Sequence, residues 1–125
     1  MTASAETPAK PVELDTGADI EAFVAEHDVA LVDVYRTGCT LCDAIEPIVG
    51  AVAKASDVAV ATCNPQTDLD IVAEYDIRSV PTLLLFVDGE LVGRLAEGFQ
   101  GVDAVFDFLA DHLDEHRDVL PAEYR

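Results

Sequence analysis

The chain has little positive charge. Seven Lys and Arg stand against 25 Asp and Glu in 125 residues, a formal net charge of −18. Nucleic-acid binding is therefore disfavoured, because a phosphate backbone needs a basic face. Lysine is nearly absent, with Lys10 and Lys54 alone. No apolar stretch reaches the roughly 18–20 residues that cross a bilayer, so no membrane association is expected. The first residues, Met1 to Pro8, lack a basic region and an apolar core and do not read as a signal peptide. A cytoplasmic location follows as the default. No Gly-rich phosphate loop, Ser-His-Asp arrangement or internal repeat is visible. Cysteine is scarce too, with three in all. In a reducing compartment a close pair of them is catalytic or metal-binding rather than structural.

Half of the residues are apolar, enough for a folded chain, and the length suits one domain. The acid excess has two readings. One is a surface that docks basic partners. The other is adaptation to high salt, where self-repulsion is screened within roughly 3 Å at 1 M. The acids are spread along the whole chain, lysine is rare, and Ala and Val dominate the apolar set. These features favour a halophilic cytoplasm.

The order of elements follows from hydrophobic period. Residues 1–10 are expected to be a disordered tail. Pro11 to Leu14 reads as a short edge strand. Ile20, Phe23 and Val24 mark a helix that starts near Thr16. Val29 to Tyr35 is an apolar, β-branched strand with Asp33 inside it. A helix runs from Cys39 to about Lys54, with Ile45, Ile48, Val49 and Val52 on one face and Pro47 in its interior, where a kink is expected. Val58 to Cys63 is continuous in small apolar residues, as buried parallel strands are. Thr67 is expected to cap a third helix carrying Leu69, Val72 and Ala73. Leu83 to Val87 and Glu90 to Ala96 flank Asp88-Gly89, a preferred two-residue hairpin turn. Val102, Val105, Phe106, Leu109 and Leu113 stripe the last helix. Residues 117–125 read as a polar tail. The expected fold is α/β, a mixed sheet with parallel crossovers and a late antiparallel hairpin, helices on both faces, and the domain within residues 11–116.

The chemistry centres on Cys39 and Cys42. A C-x-x-C at a strand-to-helix junction is a redox dithiol signature. His112 and His116 lie at i, i+4 and formally complete a C-x-x-C…H-x-x-x-H pattern. The separation of about 70 residues is far beyond finger spacing, so no metal site is expected. Cys63 reads as a small core residue.

Four local matches resemble the thioredoxin family across roughly Val12 to Leu113. Val32-Asp33-Val34-Tyr35 is followed by C-x-x-C at the family's spacing. Pro47 lies five residues past Cys42. Tyr75 to Phe86 resembles the segment that holds the family's cis-proline, here Pro81. Asp88-Gly89 and then Gly98 resemble the hairpin and the groove glycine. The resemblance implies a thioredoxin fold and thiol–disulfide oxidoreductase activity on protein disulfides. It also implies a flavin-containing thioredoxin reductase as electron donor, disulfide-bearing client proteins as substrates and no bound cofactor in the carrier. A monomer is expected.

Cys39, at the start of a helix and beside Gly38, is the expected attacking thiol, since unpaired amides and the helix dipole favour its thiolate. Cys42, one turn further in, is the expected resolving thiol. Asp33 is the expected acid/base for Cys42, because a carboxyl in an apolar strand has a raised pKa. By the resemblance, Val80 and Pro81 face the dithiol and pair with an extended client segment, and Gly98 and Phe99 complete the groove. Gly38, Thr40 and Leu41 are the remaining client contacts. Several positions depart from the family pattern. Thr40-Leu41 replaces Gly-Pro, Gly38 and Tyr35 replace two tryptophans, and Asp43 stands where a basic residue is common. A local match puts Val60 where the family often has a lysine near the buried aspartate. Asp43 disfavours a thiolate nearby, which predicts a more reducing dithiol. Two alternatives remain: a thioredoxin-fold binding or chaperone-like module, and a disulfide oxidase or isomerase.

Overall fold

The strand that carries Asp33 lies in the middle of the protein. In the computed structural model, which describes residues 6–96 and 101–125, β2 (Val29–Val34) is buried at all six positions. It pairs in parallel with β3 (Ala59–Cys63) and antiparallel with β4 (Thr82–Val87). The edges are β1 (Val12–Leu14), parallel to β3, and β5 (Glu90–Leu95), antiparallel to β4. The five strands run in the order β1-β3-β2-β4-β5. Continuous Val, Ala and Leu in β2 and β3 suit strands covered on both faces.

Alternation in β2 divides the core in two. Val29 and Leu31 pack under α2 (Thr40–Ala55) and α4 (Val102–His112) with Ile45, Val49, Val52 and Leu109. Ala30, Val32 and Val34 face α1 (Gly17–Glu26), with Ile20, Phe23 and Val24, and the short α3 (Asp70–Glu74), with Ile71. Asp33 has the parity of Val29 and Leu31, so its side chain goes to the α2 face. The helix stripes read from the sequence face the core in α1, α2 and α4, with Val102 only partly buried. Thr16 caps α1 in a reciprocal box, accepting from the Asp19 amide while Asp19 accepts from the Thr16 amide. Pro47 lies inside α2. Asp88 and Gly89 both have positive φ, 52° and 85°, as the tight hairpin turn requires.

Two expectations about local structure are corrected. The third helix has five residues and is preceded by a 3₁₀ turn, Pro65–Thr67. Thr67 lies in that turn, and its hydroxyl donates to the carbonyls of Asp15 and Asn64. Leu69 is 71% exposed and Val72 37%, while Ile71 is buried. Five residues give barely more than one turn, so no i, i+3, i+4 stripe can develop. Asp68, not Thr67, secures the helix start, accepting from the amides of Asp70 and of Gly17 in α1.

Residues 117–125 are not a free polar tail. They form two 3₁₀ turns, Arg117–Val119 and Ala122–Tyr124. Leu120 is fully buried in the α2/α4 core, and Tyr124 stacks on Phe106 with ring centres 4.8 Å apart. The Val119 carbonyl accepts from Asp57, and Arg117 and Arg125 donate to the carbonyls of Ala110 and Leu120. His112 is held at the Phe108 carbonyl and His116 at the Asp88 carboxylate. The two histidines thus serve separate contacts. Among the described residues no helix is long and apolar enough to cross a membrane.

Candidate active site

The turn after β2 brings the cysteines to the N-terminus of α2. Gly38 has φ +82°, a conformation that side chains rarely adopt, and a Cβ there would meet nothing within 4 Å. Backbone conformation, not crowding, therefore calls for glycine at this position. Cys39 is the N-cap of α2, and its sulfur accepts from the Cys42 amide at 3.1 Å. That hydrogen bond is the one a thiolate would strengthen. The two sulfurs are joined as a disulfide, with Cα atoms 5.2 Å apart. Cys39 is half-buried, whereas Cys42 is 3% exposed. Thr40 and Leu41, between them, are exposed, Leu41 at 44%.

Opposite the dithiol lies the loop before β4. The Val80–Pro81 peptide is cis, and the Val80 carbonyl oxygen is 3.9 Å from Cys39 Sγ. Val80 is half-buried and Pro81 buried. Two contacts missed in the sequence hold this loop. Thr82 donates to the Ser79 carbonyl at 2.7 Å. Arg94 reaches back from β5 to the carbonyls of Tyr75 and Asp76, at 2.9 and 3.0 Å. The one cation of β5 is the only sequence signal for that role. Gly98 and Phe99, expected to complete the groove, lie outside the described residues.

Behind Cys42 the sheet presents a polar row. Glu13, Thr62 and Asp33 are register partners across β1, β3 and β2. The residue beside Asp33 is thus Thr62, and Val60, expected there, pairs with Leu31. Register is set between strands and cannot be counted along one of them. The Glu13 carboxylate accepts on both oxygens, from Tyr35 at 3.0 Å and from Thr62 at 2.8 Å. Asp33 is 2% exposed, and its Oδ1 has no hydrogen-bond partner among the described residues. Its pKa is raised to about 7, first by loss of solvation and then by the negative charges of Glu46 and Glu13. A cavity of about 270 Å³ joins these groups, lined by Glu13, Asp33, Tyr35, Cys42, Glu46 and Thr62 among others. Cys63, buried at the end of β3, is a free thiol whose pKa burial pushes up to about 11. It has the inert character expected of a core cysteine.

A second hollow of about 250 Å³ opens on the Val80 side. Arg36, Pro65, Leu69, Val72, Arg78 and Val80 are among its lining residues, none of which is acidic. Arg78 is exposed and pairs with Asp76 at 3.2 Å.

The arrangement is matched in known proteins. The thioredoxin family model matches residues 11–111. A thioredoxin of Porphyra purpurea is 38% identical over 80 residues, which cover 62% of this chain and 75% of that protein. The structure of a mutant thioredoxin from Halobacterium salinarum NRC-1 superposes with a TM-score of 0.80 at 31% identity, covering 86% of this chain and 95% of that one. A protein disulfide isomerase-like 1-4 of Oryza sativa is 34% identical over 83 residues. Those residues are 62% of this chain and 15% of the rice protein, so the chain spans only a small part of that relative.

Proposed function

The chain belongs to the thioredoxin family and is a thiol–disulfide oxidoreductase, and on that premise we propose that it reduces client disulfides with Cys39 attacking and Cys42 resolving. The observation that carries the reading is the difference between the two sulfurs. Cys39 caps α2 and is reachable, while Cys42 is buried one turn behind, on the cavity that Asp33 lines.

The cycle balances as follows. Cys39 thiolate attacks one sulfur of the client disulfide, forming a mixed disulfide and releasing the first client thiolate, which takes a proton from solvent. Cys42 gives its thiol proton to the Asp33 carboxylate, and its thiolate attacks Cys39 Sγ. The Cys39–client bond breaks, the second client thiolate leaves and is protonated, and Cys39–Cys42 remains as the disulfide. An incoming dithiol reductant reverses these steps on the carrier. The family generally works with a thioredoxin reductase and with disulfide-bearing clients, and a flavin-containing reductase is the donor in this reading. Gly38, Thr40, Leu41, Val80 and Pro81 form the rim against which an extended client segment lies. Asp43, in the first turn of α2, disfavours the Cys39 thiolate and makes the dithiol more reducing. The working compartment is a salty cytoplasm, in keeping with the acid excess and with the likeness to a halophile's thioredoxin.

Reduction of insulin disulfides in molar KCl tests the proposal. Wild type is active and Cys39→Ser inactive; equal activity of the two would overturn it. The rice relative supports a second reading, a disulfide isomerase. A dithiol potential near that of an oxidising catalyst, with rescue of scrambled disulfides, would favour that reading instead.

A further inference from the structure

The half of the proposed cycle that oxidises the dithiol leaves a proton on Asp33. That carboxyl is 2% exposed and cannot return the proton to water directly. The groups that face it are Glu13 on β1, Tyr35 and Arg36 after β2, and Cys42, Asp43 and Glu46 on α2, together with the uncharged Thr62 hydroxyl on β3. On β4 it faces Leu83. The Arg36 guanidinium only donates and has no acceptor for the proton. Both oxygens of Glu13 already accept hydroxyl hydrogen bonds. Tyr35 spends its hydroxyl proton on Glu13. Asp43 also lines the cavity but, unlike Glu46, is not among the charges that act on Asp33. Glu46 differs from all of these. It stands four residues after Cys42, and i, i+4 positions share a helix face. It is exposed, yet it lines the same cavity as Cys42 and Asp33. No hydrogen bond or ion pair to it is found among the described residues. The cavity, about 270 Å³, has room for several waters and polar walls to hold them.

We propose that Glu46 is a proton relay, accepting through the cavity the proton that Asp33 takes from Cys42 and passing it to solvent. The inference rests on the reading that Asp33 is the base for Cys42. In the step, the Asp33 O–H bond breaks, water carries the proton across, and a Glu46 O–H bond forms. Glu46 then loses the proton to bulk water or buffer. No electrons move in this step. The unpartnered Oδ1 of Asp33 is where the cavity water would bond. In the reverse half of the cycle the same path brings the proton in.

The test is a single-turnover reaction of the reduced protein with saturating insulin in dilute buffer, reading with a pH indicator the release to solvent of the proton left on Asp33 once the second client thiol has gone. Glu46→Gln is expected to slow that release about tenfold, within the range of a lost acid–base partner. Imidazole, a small proton carrier, restores the rate, and Glu46→Asp keeps most of it. In an Asp33→Asn background, Glu46→Gln adds no further loss, because the two act in series. An unchanged rate in Glu46→Gln, a loss that imidazole does not restore, or losses that add with Asp33→Asn would each overturn the relay. If wild type itself releases no client thiol, the proposed function fails, and that result is distinct from all of these.

Discussion

Two hollows meet at Arg36, and they are made of opposite materials. The rear cavity gathers Glu13, Asp33, Asp43 and Glu46 around Cys42. The front groove, from Pro65 to Val80, has no acid among its lining residues, on a chain with 25 of them. The contrast fits the function proposed for each. A carboxylate in a docking groove would be desolvated by an apolar client segment at a cost of several kcal/mol. Carboxylates around a buried proton acceptor instead raise its proton affinity toward neutrality, where transfer in both directions is easy. Under the proposed function the front is the side that suits contact with a client, with Leu69 and Val72 left exposed. The rear suits proton movement.

The strongest way to break the comparison is Asp33→Asn. Resolution by Cys42 is expected to slow by about 10²-fold at pH 7. In wild type the same rate rises with pH through about 7, as Asp33 becomes a base. That rise should vanish in the variant, as read by stopped-flow client release from pH 5 to 9. Stability moves the other way. Asp33 holds its proton more tightly folded than unfolded, so its contribution is intact below about pH 4 and erodes as pH rises to about 7. Asp33→Asn should therefore gain stability over wild type between pH 5 and 8. The rise from 3.8 to about 7 corresponds to a gain on the order of 4 kcal/mol, measurable by urea unfolding. If the difference does not change with pH, burial does not raise the Asp33 pKa.

On the front, Leu69→Asp is expected to lower kcat/KM for insulin about tenfold and to leave the pH dependence of resolution in place. A shifted pH profile would show that the two hollows are not separate in function. Glu13→Gln removes one of the two negative neighbours of Asp33, and the pH midpoint of resolution should fall by a fraction of a unit. The amide oxygen of that variant accepts from one hydroxyl and its NH2 donates to the other, so Tyr35 and Thr62 keep a partner. The smallest expected effect is salt. Between dilute and molar KCl the melting temperature rises as surface repulsion is screened, while the midpoint set at buried Asp33 moves little, because screening reaches buried pairs weakly. An unchanged melting temperature would count against salt adaptation.

Much of this was legible in residues 29–42. A β-branched run, one aspartate, a turn with glycine and a cysteine pair at helix spacing are all local signals, and each became the element that its pattern indicated. The hairpin turn at Asp88-Gly89 was equally local. The third helix misled because two exposed leucine and valine positions look like a buried stripe until the helix proves too short. The last nine residues misled because Leu120 and Tyr124 sit among polar neighbours, and nothing nearby in sequence says that they dock on Phe106 and the α2/α4 core.

The chain order by itself determined that Cys39 would open a helix, that Cys42 would follow one turn later, and that Asp33 would point to one face of a buried strand. These depend on periods of 3.6 and 2 within one element. Only the tertiary structure decided what surrounds them. Strand register placed Thr62, not Val60, beside Asp33, and brought Glu13 from a separate strand into the same row. Docking of α2 over that row turned Glu46, an exposed helix residue, into a wall of the cavity. Register and docking are set by the burial of two whole cores, so they follow from the sum of many distant contacts rather than from any single stretch of sequence.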